Sequence, residues 1–131
     1  MKYLIDTHVF IWFVENSPNL RSKIKELIEA ETSEIFISVV SLWEISIKMS
    51  IGKLYISTKY ADVIDVLTDN LIEILPLTFA HTVENNRLPF HHRDPFDRII
   101  AAQAIVENID FISADAAFDN YFAGKTVKRI W

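Results

Sequence analysis

Two spacings of apolar residues alternate along this chain. Short apolar runs that suit buried strands give way to longer segments whose apolar positions recur every third or fourth residue, as on one face of a helix. Residues 2–5 (Lys-Tyr-Leu-Ile) are the first such run, and Ile35-Phe36-Ile37, β-branched and aromatic, are the second. Residues 71–75 give a third, stopped by Pro76; Phe111-Ile112 give a fourth, and residues 127–130 are a candidate fifth, edge strand. Between them the spacing predicts a short aromatic helix through Trp12 and Phe13 that ends near Asn16-Ser17-Pro18, and a helix from Leu20 to about Glu31. It predicts further helices over 38–50 (closed by Gly52), 58–70 and 78–87, and one opening at Pro95 and running through Val106. A short helical turn is expected at 114–118. Strands that alternate with helices predict a parallel sheet covered on both faces. The expected fold is α/β: a three-layer α/β/α sandwich around a mostly parallel sheet of four to five strands.

Composition narrows the class. At 131 residues the chain suits one domain, 1–131, with a single good core. Half the residues are apolar, and two glycines and four prolines leave no linker, repeat or low-complexity stretch. The apolar runs are too short to span a bilayer, and the N-terminus lacks the pattern of a signal peptide. Absence of cysteine removes disulfides and thiolate zinc sites, and points to the cytoplasm. The net charge of −5 argues against holding nucleic acid by bulk positive field. A nuclease is still compatible, because a cation in an acidic pocket reverses the local sign.

Four acids then stand out, each bedded in apolar sequence: Asp6, Glu44, Asp97 and Asp115. Asp6 and Asp115 follow predicted strands, whereas Glu44 and Asp97 fall in the first two turns of helices that begin near the same sheet edge. Ligands of parallel sheets bind beyond the carboxyl ends of the strands. Four ionised carboxylates there repel one another and call for a hard divalent cation, Mg²⁺ or Mn²⁺. Such an ion neutralises phosphoryl charge and activates water, so no serine or cysteine nucleophile is required.

In order along the chain, Leu-Ile-Asp-Thr-His, Ser-Leu-Trp-Glu-Ile, His-Arg-Asp-Pro-Phe-Asp-Arg and Ser-Ala-Asp match motifs of a known family. Over nearly its whole length the chain resembles the PIN-domain ribonucleases, above all the VapC-type toxins of bacterial toxin–antitoxin systems. That resemblance implies a Mg²⁺- or Mn²⁺-dependent endoribonuclease that leaves a 5′-phosphate and a 3′-hydroxyl on RNA. It implies a homodimer inhibited by a small cognate antitoxin that reaches into the active site. It assigns Asp6, Glu44 and Asp97 as metal-holding acids, with Asp115 completing the site. Ser113 stands where the family often has threonine and keeps the hydroxyl.

Plainer readings compete at each position. Asp6 can cap the helix after the first strand, and Glu44 can pair with Lys48 four residues on. Asp94 suits a cap at a helix N-terminus, and Asp115 a turn. Arg98 is expected to hold a neighbouring acid or to touch phosphate. Thr7 and His8 either position RNA or finish a cap. His91 and His92, adjacent in a loop, point in different directions and so make poor joint ligands. Trp12, Phe13, Trp43, Phe96 and Phe118 suit core or interface, and Trp131 a subunit contact. Two other functions share the acidic pattern. One is a phosphoryl-transfer enzyme with Asp6 as nucleophile, although His8 stands where a phosphatase of that type wants a second acid. The other is a non-catalytic interaction domain.

Overall fold

Tyr3 and Ile5 point to one side of the first strand and Leu4 to the other, and all three are buried. A strand apolar on both faces must lie inside a sheet that is covered twice, and this one is central. The computed structural model describes residues 1–90 and 94–131. Its strands are β1 (Lys2–Ile5), β2 (Glu34–Ser38), β3 (Ile72–Leu75), β4 (Asp110–Ile112) and β5 (Arg129–Ile130). They form one sheet in the order β3-β2-β1-β4-β5, with every pairing parallel.

Helices α1 (Thr7–Val14), α2 (Ser22–Glu29), α3 (Val39–Ser50) and α4 (Val63–Asp69) connect the first three strands. The helices α5 (Phe79–Arg87), α6 (Pro95–Glu107) and the short α7 (Asp119–Phe122) follow. One core joins Ile5, Ile35, Ile37, Ile72 and Ile112 to apolar residues of α1 to α4. The other joins Leu4 and Phe111 to Ile100, Ala101, Ala102 and Ala104 of α6, with Tyr121 and Phe122 of α7. These alanines of α6 are fully buried in the core shared with the sheet. The expected three-layer sandwich is observed, with five strands. Among the described residues no helix is long and apolar enough to cross a membrane.

Local departures have local causes. The third strand starts at Ile72 because Leu71 takes φ 55°, a left-handed turn after α4, and leaves its side chain exposed. The helix predicted over 58–70 is divided into a 3₁₀ turn at Tyr60–Asp62 and α4. Trp43 does not belong to the core: it is 60% exposed and stands edge-on to Phe96, with ring centroids 5.4 Å apart, which leaves the interface alternative of the sequence reading in place.

Candidate active site at the switch point of the sheet

The chain runs outward from β1 through β2 to β3, then crosses back to β4 on the other side of β1. Loops leaving β1 and β4 therefore diverge to opposite faces and open a crevice between them, the place where open α/β sheets bind ligands. Asp6 ends β1 at this crevice. Its backbone N–H extends the ladder to the carbonyl of Ile112, and its carboxylate Oδ2 accepts a 2.6 Å hydrogen bond from Ser113 Oγ. The same Ser113 oxygen accepts from the backbone N–H of Asp115 at 3.0 Å. One buried hydroxyl thus links the acids that follow β1 and β4.

Glu44 reaches the site from α3, whose start is fixed by Ser38 accepting from the Val40 N–H. Glu44 is buried, against the sequence pattern of an ordinary surface ion pair. Thr7 Oγ1 lies 3.1 Å from Glu44 Oε1 and 2.8 Å from Ser41 Oγ, while Lys48 Nζ lies 2.7 Å from Glu44 Oε2. Both carboxylate oxygens are therefore engaged. The pairing with Lys48 and the burial coexist, because one turn of α3 carries Lys48 to the rim.

Asp97 arrives in the first turn of α6, which opens with Asp94 capping the Phe96 N–H and with Pro95 at the first helical position. A helix N-terminus favours a carboxylate. Burial opposes it, and so do the charges of Asp94, Asp6, Glu44 and Asp115, in that order. These win: the Asp97 carboxyl is pushed up to about 7. Burial also raises Asp6, partly offset by the Ser113 hydrogen bond and by His8. The Lys48 ammonium is held above its usual range by its hydrogen bond to Glu44, against the effect of burial. Asp115 is exposed, and its side chain accepts from the Ala117 N–H to start the turn Ala116–Phe118.

The four predicted acids thus share one edge and feel one another. They are not gathered into a closed cage: among the described residues no three acids or histidines stand close enough to grip an ion as they are. The donor set nevertheless fits a hard cation, since every candidate atom is a carboxylate oxygen and the repulsion that raises Asp97 is what a divalent ion would relieve.

The supporting residues differ from expectation. Thr7 and Ser113, read as possible contacts to substrate, are buried and turned toward Glu44 and Asp6. Arg98 holds no acid among the described residues: it donates to the carbonyl of Leu88 and lies over the ring of Phe90, 5.1 Å from its centroid. Its Nε is buried without a partner among them. Ser41 was missed, although it sits three residues before Glu44 and so on the same helical face. His91 and His92 lie outside the described residues.

A family profile described as PIN domain matches residues 3–122. No curated protein matches the chain significantly. Among solved structures, a chain of VapBC2 from Rickettsia felis bound to a promoter DNA fragment superposes with TM-score 0.73 at 18% identity, covering 99% of this chain and 98% of that one. A chain of DNA-bound VapBC from Salmonella typhimurium gives 0.73 at 17% identity, over 99% and 97%. VapBC-5 from Mycobacterium tuberculosis, described as a member of a family of toxin–antitoxin systems, gives 0.61 at 18%, over 98% and 97%. At these identities the superpositions speak to fold alone. The profile match, spanning the sheet as far as β4 and the elements that carry Asp6, Glu44, Asp97 and Asp115, makes the chain a member of the PIN domain family.

Proposed function

We propose that this chain is a Mg²⁺- or Mn²⁺-dependent endoribonuclease toxin, neutralised by a cognate antitoxin. The observation that carries the proposal is the convergence of Asp6, Glu44, Asp97 and Asp115 at a crevice of the kind that receives ligands, where burial first and the neighbouring carboxylates second raise Asp97. Family membership supports the nuclease class, and the similarity to chains of toxin–antitoxin complexes supports a protein inhibitor. Homodimerisation and a cytoplasmic site of action belong to the same reading.

Asp6, Glu44 and Asp97 would hold the ion, and Asp115 would complete the set. Bound there, a divalent ion supplies positive charge for the phosphoryl oxygens and for the water that hydrolyses the bond. The protein's own part is positional. Ser113 fixes the Asp6 carboxylate, Thr7 and Lys48 fix that of Glu44, and the α6 cap sets Asp97. The buried surroundings keep these groups from reorganising, which is where electrostatic catalysis gains most.

The test is cleavage of RNA by purified protein with and without Mn²⁺. Asp6→Asn should lower the rate by at least ~10³-fold, the order expected for loss of a group that stabilises transition-state charge, while circular dichroism stays unchanged. Cleavage that persists in Asp6→Asn, or that ignores chelator, would overturn the assignment. An acid-stable phosphoaspartate trapped at Asp6 would favour the phosphatase reading instead.

A further inference from the structure

RNA must approach a chain of net charge −5 at a crevice that already gathers Asp6, Glu44, Asp97 and Asp115. Bulk electrostatics oppose that approach, so local cations have to receive the strand. The end of α3 supplies them. After Ser50 the chain reverses through Gly52, whose φ of 73° is in the left-handed region that glycine enters freely. This reversal returns the backbone N–H groups of Lys53 and Leu54 to the carbonyl of Lys48, at 2.8 and 3.1 Å. Lys48 and Lys53 are thereby fastened to one turn.

Both lysines line a cavity of about 290 Å³ together with Thr7, Glu44, His8 and Trp12. The volume is close to the lower bound of roughly 300 Å³ for small-ligand pockets. Glu44 and Thr7 place the cavity directly against the acidic crevice. In the same lining His8 and Trp12 stand one turn apart on α1, with ring centroids 6.2 Å apart. Trp131 packs on Trp12 at 5.9 Å and steadies its ring. Lys48 is engaged by Glu44, whereas Lys53 is exposed and has no carboxylate partner among the described residues. Cations beside an aromatic face are what a single nucleotide needs: lysine for the phosphate and a ring for the base.

We propose that this cavity binds a nucleotide of single-stranded RNA flanking the cleaved bond, with Lys53 and Lys48 at its phosphate and Trp12 against its base. The proposal rests on the endoribonuclease reading and names where its substrate lies. It is tested by fluorescence anisotropy with a short mixed-sequence single-stranded RNA, at several salt concentrations with Mg²⁺, in an Asp6→Asn background that stops cleavage. Lys53→Ala should weaken binding about 5- to 10-fold and reduce the salt slope by about 1, as loss of one phosphate contact does. Trp12→Leu should weaken it at least about fivefold through lost stacking. In an otherwise wild-type protein, Lys53→Ala should leave Mn²⁺ affinity, measured by calorimetry, within about twofold, because the exposed ammonium is screened. Unchanged RNA affinity and slope in Lys53→Ala and Trp12→Leu would overturn the subsite, as would equal losses for duplex RNA or no measurable RNA binding. Those outcomes leave the nuclease assignment standing, whereas an Asp6→Asn protein that still cuts RNA sinks the assignment itself.

Discussion

Asp97 shows how a residue can be read correctly and still carry a hidden cost. Its place after Asp-Pro-Phe marks the first turn of a helix, where acids are common. Only the fold buries it, sets other carboxylates around it and so lifts it to about 7. A carboxyl whose folded pKa exceeds its unfolded value binds more protons when folded. Stability of the metal-free protein should therefore fall as pH rises from about 4 to about 7, and level off above. Asp97→Asn should flatten that decline and raise Tm in chelator at pH 8 by roughly 3–5 °C, the order that 1 kcal/mol gives in a domain of this size. A Tm in Asp97→Asn equal to or below the parent's would mean that Asp97 is not crowded. Ser113 works in the opposite sense. Ser113→Ala removes the hydrogen bond to ionised Asp6 and should cost about 1.5–3 kcal/mol at pH 8 in denaturant unfolding. It should also move the acid limb of the pH–rate profile upward, and Ser113→Thr should restore both. If Ser113→Ala leaves both quantities in place, the serine does not hold Asp6.

At the scale of elements, the helix starts were legible because their caps are local. Ser38, Asp94 and Asp115 each cap the element that follows through a hydrogen bond to the second backbone N–H beyond. The start of α5 uses a partner that sequence reading passed over. Thr78 receives the N3 backbone, while His81 Nδ1 accepts from the Thr78 N–H at 3.0 Å, a capping box with histidine in the place of glutamate. His81 is fully buried, and its Nε2 meets Glu107 Oε2 of α6 at 2.8 Å. One imidazole therefore closes a cap and ties two helices. His81→Ala should destabilise by about 2–4 kcal/mol through the lost cap and the emptied volume. A loss below about 0.5 kcal/mol, the range of ordinary surface changes, would show that the tie is dispensable. Thr-x-x-His was visible in the sequence, but the contact with Glu107 needed α5 laid along α6.

For the whole molecule, the site is a charge problem that a cation should solve. Titrating Mg²⁺ or Mn²⁺ into chelator-treated protein should stabilise it by about 2.7 kcal/mol once the ion reaches a hundred times its Kd. The gain should shrink in Asp97→Asn, and a melting curve that ignores the ion would argue that the acids do not form one site. The sequence by itself determined the strand and helix order, because each element's apolar period and caps are encoded within a few residues. It also marked the acids, since carboxylates framed by apolar runs need a reason to be there. Tertiary structure decided how those acids are held. Ser113 is 107 residues from Asp6 and Thr7 is 37 from Glu44, so no local pattern records either hydrogen bond. The strand order put β1 between β2 and β4, opening the crevice at Asp6 and bringing the first and last thirds of the chain to one edge. Which side of the sheet each crossover takes is a property of the packed chain, and it turned acids scattered through the sequence into neighbours that repel.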